Sequence, residues 1–319
     1  MALRIGFVGT GGIANWHLGH LSKIEGTKVV SVCDVNKERV EAAAIDWKAK
    51  PYTDYERMLN EQELDALYIC TPPFAHGDAE ISSAERGIHL FIEKPISLSL
   101  NKAKEIEISI MKNKIITSVG YQRRYEDTVD KIRFNLKGSI PGLFMGYYLG
   151  RIPGVDWWRR KEKSGGQMIE QTTHIFDLAR YLFGEVKNVF AVERRGLIED
   201  VKDYNIEDAS SVTLVLESGL VGTIYSACFL SYAEKVGMDI YLKDRKIEYD
   251  GGIKIIELNQ ERRISSSTDA GLIEDQVFIE AVKSGDSSNI KSDYSDGLKT
   301  LEVTLAANES IKKEKVIKL

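Results

Sequence analysis

The sequence predicts an α/β protein in two parts. The first is a doubly wound parallel sheet, the second an α/β domain with an open, mostly antiparallel sheet. Three observations carry this. Up to about Gly120, apolar strand-length runs alternate with helical runs, the pattern of a parallel sheet covered on both faces. After about Ile140, strand-like runs follow one another through short turns such as Glu217-Ser218-Gly219 and Asp250-Gly251-Gly252, the pattern of an antiparallel sheet. With 319 residues and 43% apolar content the chain can build two cores. The expected boundary separates residues 1–122 from 123–319.

The opening run Leu3-Arg4-Ile5-Gly6-Phe7-Val8 reads as a buried strand, and it enters Gly9-Thr10-Gly11-Gly12-Ile13-Ala14, a G-x-G-x-x-A turn. A helical run follows, then a second apolar strand, Lys28–Cys33, that ends at Asp34. Each part suits a dinucleotide. Gly9 allows the tight turn, Gly11 lets backbone approach a pyrophosphate, and Ala14 is small enough for the helix to pack on the sheet. The helix N-terminus offers free N–H groups and partial positive charge. Asp34 can accept hydrogen bonds from both hydroxyls of an adenosine ribose. The motif alone is weak, but strand, helix, second strand and acidic residue in sequence make it strong. Gly9, Thr10, Gly11, Gly12, Ile13 and Asp34 are therefore expected to bind cofactor. Asp34 repels a 2′-phosphate and favours NAD. Lys37 and Arg39 follow closely enough to leave NADP open.

Further elements follow in order. Helices are expected at Lys37–Trp47, near Asp54–Asn60, at Ala75–Arg86 and at Leu100–Asn113. Strands are expected at Leu64–Cys70, His89–Glu93 and Ile115–Gly120. In such sheets ligands bind beyond the carboxyl ends of the strands. That directs attention to Thr71–His76, Glu93–Pro95 and Tyr121–Tyr125. In the second part, strands are expected at Phe144–Arg151, Val186–Arg195, Ser211–Glu217, Leu220–Phe229, Val236–Lys243 and Lys254–Leu258. One long helix, from about Gly166 to Phe183, interrupts them. Two more, near Ala270–Ser284 and Ser295–Lys313, close the chain. Val201–Asp208 is polar and reads as a mobile loop.

Four motifs carry candidate chemistry. On the long helix, at about 100° per residue, Glu170, His174, Asp177 and Tyr181 fall on one stripe opposite a broad apolar face. A solvated outer face is the alternative, but Lys and Gln would serve that better, and His is suited to proton transfer near neutral pH. Glu93-Lys94-Pro95 ends a strand where the binding crevice should lie. A partly desolvated Lys94 suits a proton donor; a strand-end charge with a turn proline is equally compatible. Thr71-Pro72-Pro73 with His76 lies where the nicotinamide end of a dinucleotide would arrive, with His76 touching its ribose or capping the next helix. Finally, Trp157 and Trp158 with Arg159 and Arg160 sit in a linker, either anchoring a core or lining a substrate pocket with an indole face.

Composition narrows the classes further. Lys plus Arg is 43 against 48 for Asp plus Glu, a net charge of −5, which disfavours nucleic-acid and anionic-membrane surfaces. The N-terminus enters a strand directly and no apolar run is long enough to span a bilayer, so a cytoplasmic protein is expected. Cys33, Cys70 and Cys228 lie in strand-like runs without metal-type spacing, which reads as buried reduced thiols; no metal site is expected.

Together these motifs resemble the glucose–fructose oxidoreductase / inositol dehydrogenase / rhizopine-catabolism family, Gfo/Idh/MocA. The matching residues are Gly9–Ala14, Thr71-Pro72-Pro73 with His76, Glu93-Lys94-Pro95, Gly120–Tyr125 and Ser164–Asp177. The resemblance covers essentially the whole chain. It implies a Rossmann domain followed by a domain whose open sheet makes homodimers or homotetramers. It also implies reversible hydride transfer between nicotinamide and a hydroxyl carbon of a sugar, cyclitol or related polyol. Lys94 matches the family's catalytic lysine and His174 its catalytic histidine. Glu170 stands where the family often has an aspartate, one methylene longer, so contact with substrate competes with orienting His174. The expected catalytic set is Lys94, His174 and Glu170. Thr71, Pro72, His76, Glu93 and Lys94 join the cofactor set, and the Lys94–Pro95 bond is expected to be cis. Tyr121, Arg124, Trp157, Trp158, Arg160, Glu170 and Asp177 are expected at the substrate. Two relatives of other classes share this fold: a glycosidase that uses NAD transiently, and a non-enzymatic cofactor sensor. The presence of both Lys94 and His174 counts against the sensor.

Overall fold

The structure, a computed structural model, describes residues 2–232 and 235–319. The chain divides into two compact units, Met1–Gln122 with Asp269–Leu298, and Arg123–Thr268 with Lys299–Leu319. The return of residues 269–298 to the first unit departs from the sequence reading, which grouped them with the second. Their helix supplies Phe278 and Ile279 to the first core, a role that local patterning cannot assign to one domain rather than another.

In the first unit the elements run β1 (Leu3–Val8), α1 (Gly12–Leu21), β2 (Thr27–Cys33), α2 (Lys37–Trp47), β3 (Lys50–Tyr52), α3 (Tyr55–Glu61), β4 (Ala66–Ile69), α4 (Asp78–Glu85), β5 (His89–Ile92), α5 (Leu100–Asn113) and β6 (Thr117–Val119). The six strands form one parallel sheet in the order β3-β2-β1-β4-β5-β6. The order reverses direction at β1 and β4, so the topological switch point falls beside the Gly9 turn. β4 is buried throughout, and β1 and β5 are buried along their C-terminal residues, Ile5–Val8 and Leu90–Ile92, as strands covered on both faces are. Under α1 the core stacks Phe7 on Tyr68 and Tyr68 on Phe91, with ring centroids 4.7 Å apart in each pair.

The second unit begins with α6 (Asp127–Leu136) and β7 (Leu143–Leu149). Then come α7 (Lys161–Ser164), α8 (Gln167–Glu170), α9 (Thr173–Phe183), β8 (Val186–Arg194), β9 (Ala209–Leu216), β10 (Val221–Ala227), β11 (Lys235–Tyr241), β12 (Arg245–Tyr249), β13 (Ile253–Glu257) and β14 (Gln260–Ile264). The last elements are α10 (Ala270–Ser284), whose residues belong to the first unit, α11 (Tyr294–Lys313) and β15 (Ile317–Lys318). The nine-stranded sheet has the order β14-β13-β12-β11-β7-β10-β9-β8-β15 and is antiparallel except where β10 meets β7. One face carries the core, with Val189, Ala191, Val212, Leu214 and Ile224 buried against Ile175, Phe176 and Ala179 of α9. No helix among the described residues is long and apolar enough to cross a membrane.

Two sequence expectations are corrected here. The long helix over 166–183 is two helices, because the ladder slips at Gln171 and Thr172. The Thr172 N–H reaches back five residues to the Gln167 carbonyl at 2.9 Å, and the Thr172 hydroxyl accepts from Ser226 Oγ at 2.9 Å. The joint is thereby tied to β10, where a side-chain hydrogen bond competes with the helical ladder. The expected mobile loop at 201–208 ends instead in a buried anchor, since Ile206, Glu207 and Asp208 have almost no exposure.

Candidate active site

At the carboxyl ends of the parallel strands, Gly9 has φ +90°, and a Cβ there would collide with the Cys70 carbonyl oxygen. The position accepts only glycine. The carboxylate of Asp34 braces the turn from the side: its Oδ2 accepts from Thr10 N at 2.9 Å and Thr10 Oγ1 at 3.0 Å, and its Oδ1 accepts from Asn36 N at 2.9 Å. The Arg39 guanidinium stands 3.4 Å from Asp34 Oδ2. Gly11 is the N-cap of α1, has no side-chain cap, and is followed by no acidic residue in the first turn. No protein atom lies within 4 Å of a Cβ built on Gly11 or Gly12. The first turn of α1 thus carries no side-chain cap and has room beside Gly11 and Gly12, as the approach of a pyrophosphate to a helix N-terminus requires. Ile13 is exposed beside them.

Beyond β4, Thr71 Oγ1 and His76 Nε2 are buried without a hydrogen-bond partner. The other nitrogen of His76, Nδ1, lies 2.6 Å from Glu80 Oε1, and Glu80 Oε2 accepts from Gly77 N at 2.8 Å. Glu80 therefore serves the start of α4 and orients His76, leaving Nε2 for something else. Two orphaned polar groups near Pro72 fit a nucleoside ribose or amide better than an apolar ligand. Beyond β5, Lys94 is half-buried, and its bond to Pro95 is cis. Glu93 turns inward: its Oε1 lies 3.1 Å from His17 Nε2, and its Oε2 accepts from the Lys94 N–H at 3.2 Å. Tyr121 is almost wholly buried.

In the second unit, a buried pair organises the start of α9. Arg124 Nε donates to Asp177 Oδ2 at 2.8 Å and its Nη2 to Oδ1 at 2.6 Å, with neither residue more than 3% exposed. Thr300 Oγ1 donates to Asp177 Oδ1 at 3.0 Å, and the Arg124 guanidinium lies 4.8 Å over the Tyr181 ring. Asp177 is thus engaged by Arg124 and Thr300. His174 sits in the first turn of α9 and is nearly buried. Glu170, at the end of α8, accepts from Trp158 Nε1 at 2.7 Å.

Trp158 is wholly buried in a small cluster with Ile206 and Cys228, so of the two tryptophans only the half-buried Trp157 is left to offer a ring face. The physical reason is its N–H: once the ring is buried, that donor needs an acceptor, and Glu170 supplies it. Arg160 pairs with Asp203 Oδ2 at 2.8 Å. The glycine turn before α8 rests on Lys161, whose Nζ reaches Glu207 Oε2 at 2.7 Å and Asn308 Oδ1 at 2.8 Å. Sequence reasoning missed these supports, and it missed His17 and Asp275. Two histidines three residues apart on the apolar α1 were a readable signal.

An uncapped helix behind a glycine turn, at the switch point of a parallel sheet, fits a dinucleotide-binding domain. Comparison with known proteins agrees. Residues 3–121 match the model of an oxidoreductase family with an NAD-binding Rossmann fold, and residues 142–248 match the C-terminal domain of that family. The chain belongs to the Gfo/Idh/MocA family. Over 225 residues it is 29% identical to an uncharacterized oxidoreductase of Bacillus subtilis, a match that spans 69% of this chain and 65% of the relative. Over 334 residues it is 26% identical to myo-inositol 2-dehydrogenase of Thermotoga maritima, spanning 99% and 98% of the two chains. A solved structure described as a probable dehydrogenase from Thermotoga maritima superposes with a TM-score of 0.84 at 26% identity, over 99% of this chain and 98% of that one.

The Arg124–Asp177 pair makes a stability prediction. Arg124→Leu leaves a buried carboxylate without its partner, and stability should fall by about 3–5 kcal/mol in urea unfolding. The double variant Arg124→Leu with Asp177→Leu should recover much of that loss, because no uncompensated charge remains.

Proposed function

We propose that this NAD-dependent oxidoreductase transfers hydride between nicotinamide and a hydroxyl-bearing carbon of a cyclitol or sugar. The observation that carries the reading is the open, uncapped N-terminus of α1 above Gly11 and Gly12. The myo-inositol 2-dehydrogenase that matches nearly end to end supports a cyclitol or sugar as substrate class. Gly9, Thr10, Gly11, Gly12, Ile13 and Asp34 would hold the adenosine and pyrophosphate, and Thr71, Pro72 and His76 the nicotinamide half. The cofactor, when bound, supplies hydride acceptance and donation.

The residues of the chain handle the proton. His174 accepts it from the substrate hydroxyl, and Lys94 polarises the same oxygen. Glu170, held by Trp158, would accept a hydrogen bond from a neighbouring substrate hydroxyl. Trp157, half-buried, would complete the substrate contacts. Arg124 and Asp177 act at one remove by holding α9. A cytoplasmic setting fits three buried thiols.

We also infer a homodimer or homotetramer formed through the second sheet. Phe190 and Val192 of β8 and Val221 and Tyr225 of β10 lie on its uncovered face, each more than a third exposed. The register places Val192 across Ser211 from Tyr225, making a continuous row. Apolar rows of this kind mark association surfaces.

Purified protein with NAD and a panel of cyclitols, sugars and anhydrosugars should reduce NAD with one compound class, and NADP more slowly because Asp34 opposes a 2′-phosphate. Lys94→Met and His174→Ala should each lower turnover by roughly 100-fold or more while NADH still binds. Retained turnover in either variant removes that residue from the reaction. Cleavage of aryl glycosides without NADH accumulation would favour the glycosidase chemistry instead. Light scattering should report two or four subunits, and Val192→Lys with Tyr225→Lys should shift the protein towards monomer.

A further inference from the structure

Beneath the glycine turn lies a buried ionic cluster that the proposed reaction does not use directly. His17, on α1, has no solvent exposure. Its Nδ1 is 2.8 Å from Asp275 Oδ1 and 3.0 Å from Oδ2, and its Nε2 is 3.1 Å from Glu93 Oε1. Asp275 comes from α10, and its Oδ2 also lies 2.9 Å from His20 Nδ1. Both ring nitrogens of His17 face carboxylate oxygens, which only accept, so the ring fits as a doubly donating imidazolium. Burial opposes that charge, but the attraction of Asp275, then of Glu93, outweighs it and raises the pKa to about 10.

The surroundings hold the ring in one place. Phe91 packs against it at 4.7 Å and Tyr68 at 5.4 Å between centroids. Gly271 of α10 has no side chain where the Trp16 ring passes, so α1 and α10 approach closely. Glu93 is fixed from the other side as well. Its carboxylate fills the space a Cβ on Gly120 would need, and its Oε2 takes the Lys94 N–H.

A buried charge cluster is weak support for stability, since apolar residues of the same volume often do as well. What it provides is direction. An apolar side chain at position 93 would remove this acceptor of the Lys94 N–H.

We propose that His17 is a positioning residue: held by Asp275, it fixes the Glu93 carboxylate, and Glu93 holds the Lys94 backbone so that the ammonium group meets the substrate oxygen. The inference rests on the Lys94 role proposed above. His17, His20 and Asp275 are also residue types that bind metals, with ligand atoms within 4.8 Å of one another. Their short contacts to one another satisfy the carboxylate without an ion.

The test compares His17→Gln, Glu93→Gln, the double variant and His20→Gln, with Lys94→Met alongside. Thermal melts establish the folded fraction, and NADH titration establishes cofactor affinity. The expected result is a kcat lowered on the order of 100-fold in His17→Gln and Glu93→Gln, the scale of a small misplacement of a reacting group, with KM and NADH affinity within about threefold. The double variant should be no slower than Glu93→Gln alone, because one residue acts through the other. His20→Gln touches Asp275 but not Glu93 and should keep the wild-type kcat. Multiplicative losses in the double variant, or a fall in activity that tracks only folded fraction or NADH affinity, overturn the proposal. So does a stoichiometric metal whose removal reproduces the His17→Gln kinetics. If Lys94→Met keeps its turnover, the Lys94 role fails and the brace fails with it. If Lys94→Met is inactive while His17→Gln and Glu93→Gln turn over normally, the brace alone fails.

Discussion

The nucleotide end of the first unit depends on the backbone of one residue. Gly9 leaves β1 between two parallel neighbours and must turn at once without disturbing either. Its N–H donates to the Cys33 carbonyl at 2.8 Å, and one residue earlier the Val8 carbonyl accepts from Cys70 N at 2.7 Å. With both ladders still engaged, the turn has room only for positive φ and no side chain. Asp34 then ties Thr10 to the end of β2. The aim of α1 follows from these contacts. A helix dipole acts only within its first turn, so the usefulness of that N-terminus depends on how rigidly the preceding residues are held.

Much of this was legible in the sequence because its causes are local. A strand, a glycine turn, a helix and an acidic residue each leave a composition signal within a short window, and the parallel sheet follows from their alternation. The second sheet was partly legible. β12 and β14 escaped notice because RKIEY and QERRI are short and charged, and of the two only β14 lies at a sheet edge. The return of residues 269–298 was not legible, since an amphipathic helix carries no mark of which core it will join.

The site divides along the same line. Positions of Lys94 and His174 were readable from motifs, whereas the partners of the charged groups were not. Asp177 and Glu170 shared a stripe on the expected helix, yet one meets Arg124 and the other Trp158. The expected stripe assumed one unbroken helix. Once the ladder slips at Thr172, Glu170 and His174 belong to successive helices. The Thr172 hydroxyl at that slip meets Ser226, far along the chain, and no window around position 172 contains that partner.

Both units hold their reactive segments in the same physical way. The end of β5 is braced by Glu93 and His17, and the start of α9 by Asp177 and Arg124. Apolar packing could have filled either space, but it tolerates small slides, because dispersion varies little over a few tenths of an ångström and a core can repack around a new shape. A charge-assisted hydrogen bond is shorter and directional, and a bidentate pair fixes a plane as well as a point. Such pairs are costly to bury and add little net stability. They suit places where orientation matters more than stability, and proton transfer is such a case, since its rate falls steeply when donor and acceptor are misaligned by about 1 Å. These two buried braces lie next to the two residues proposed to move the proton, where direction is what the chain needs.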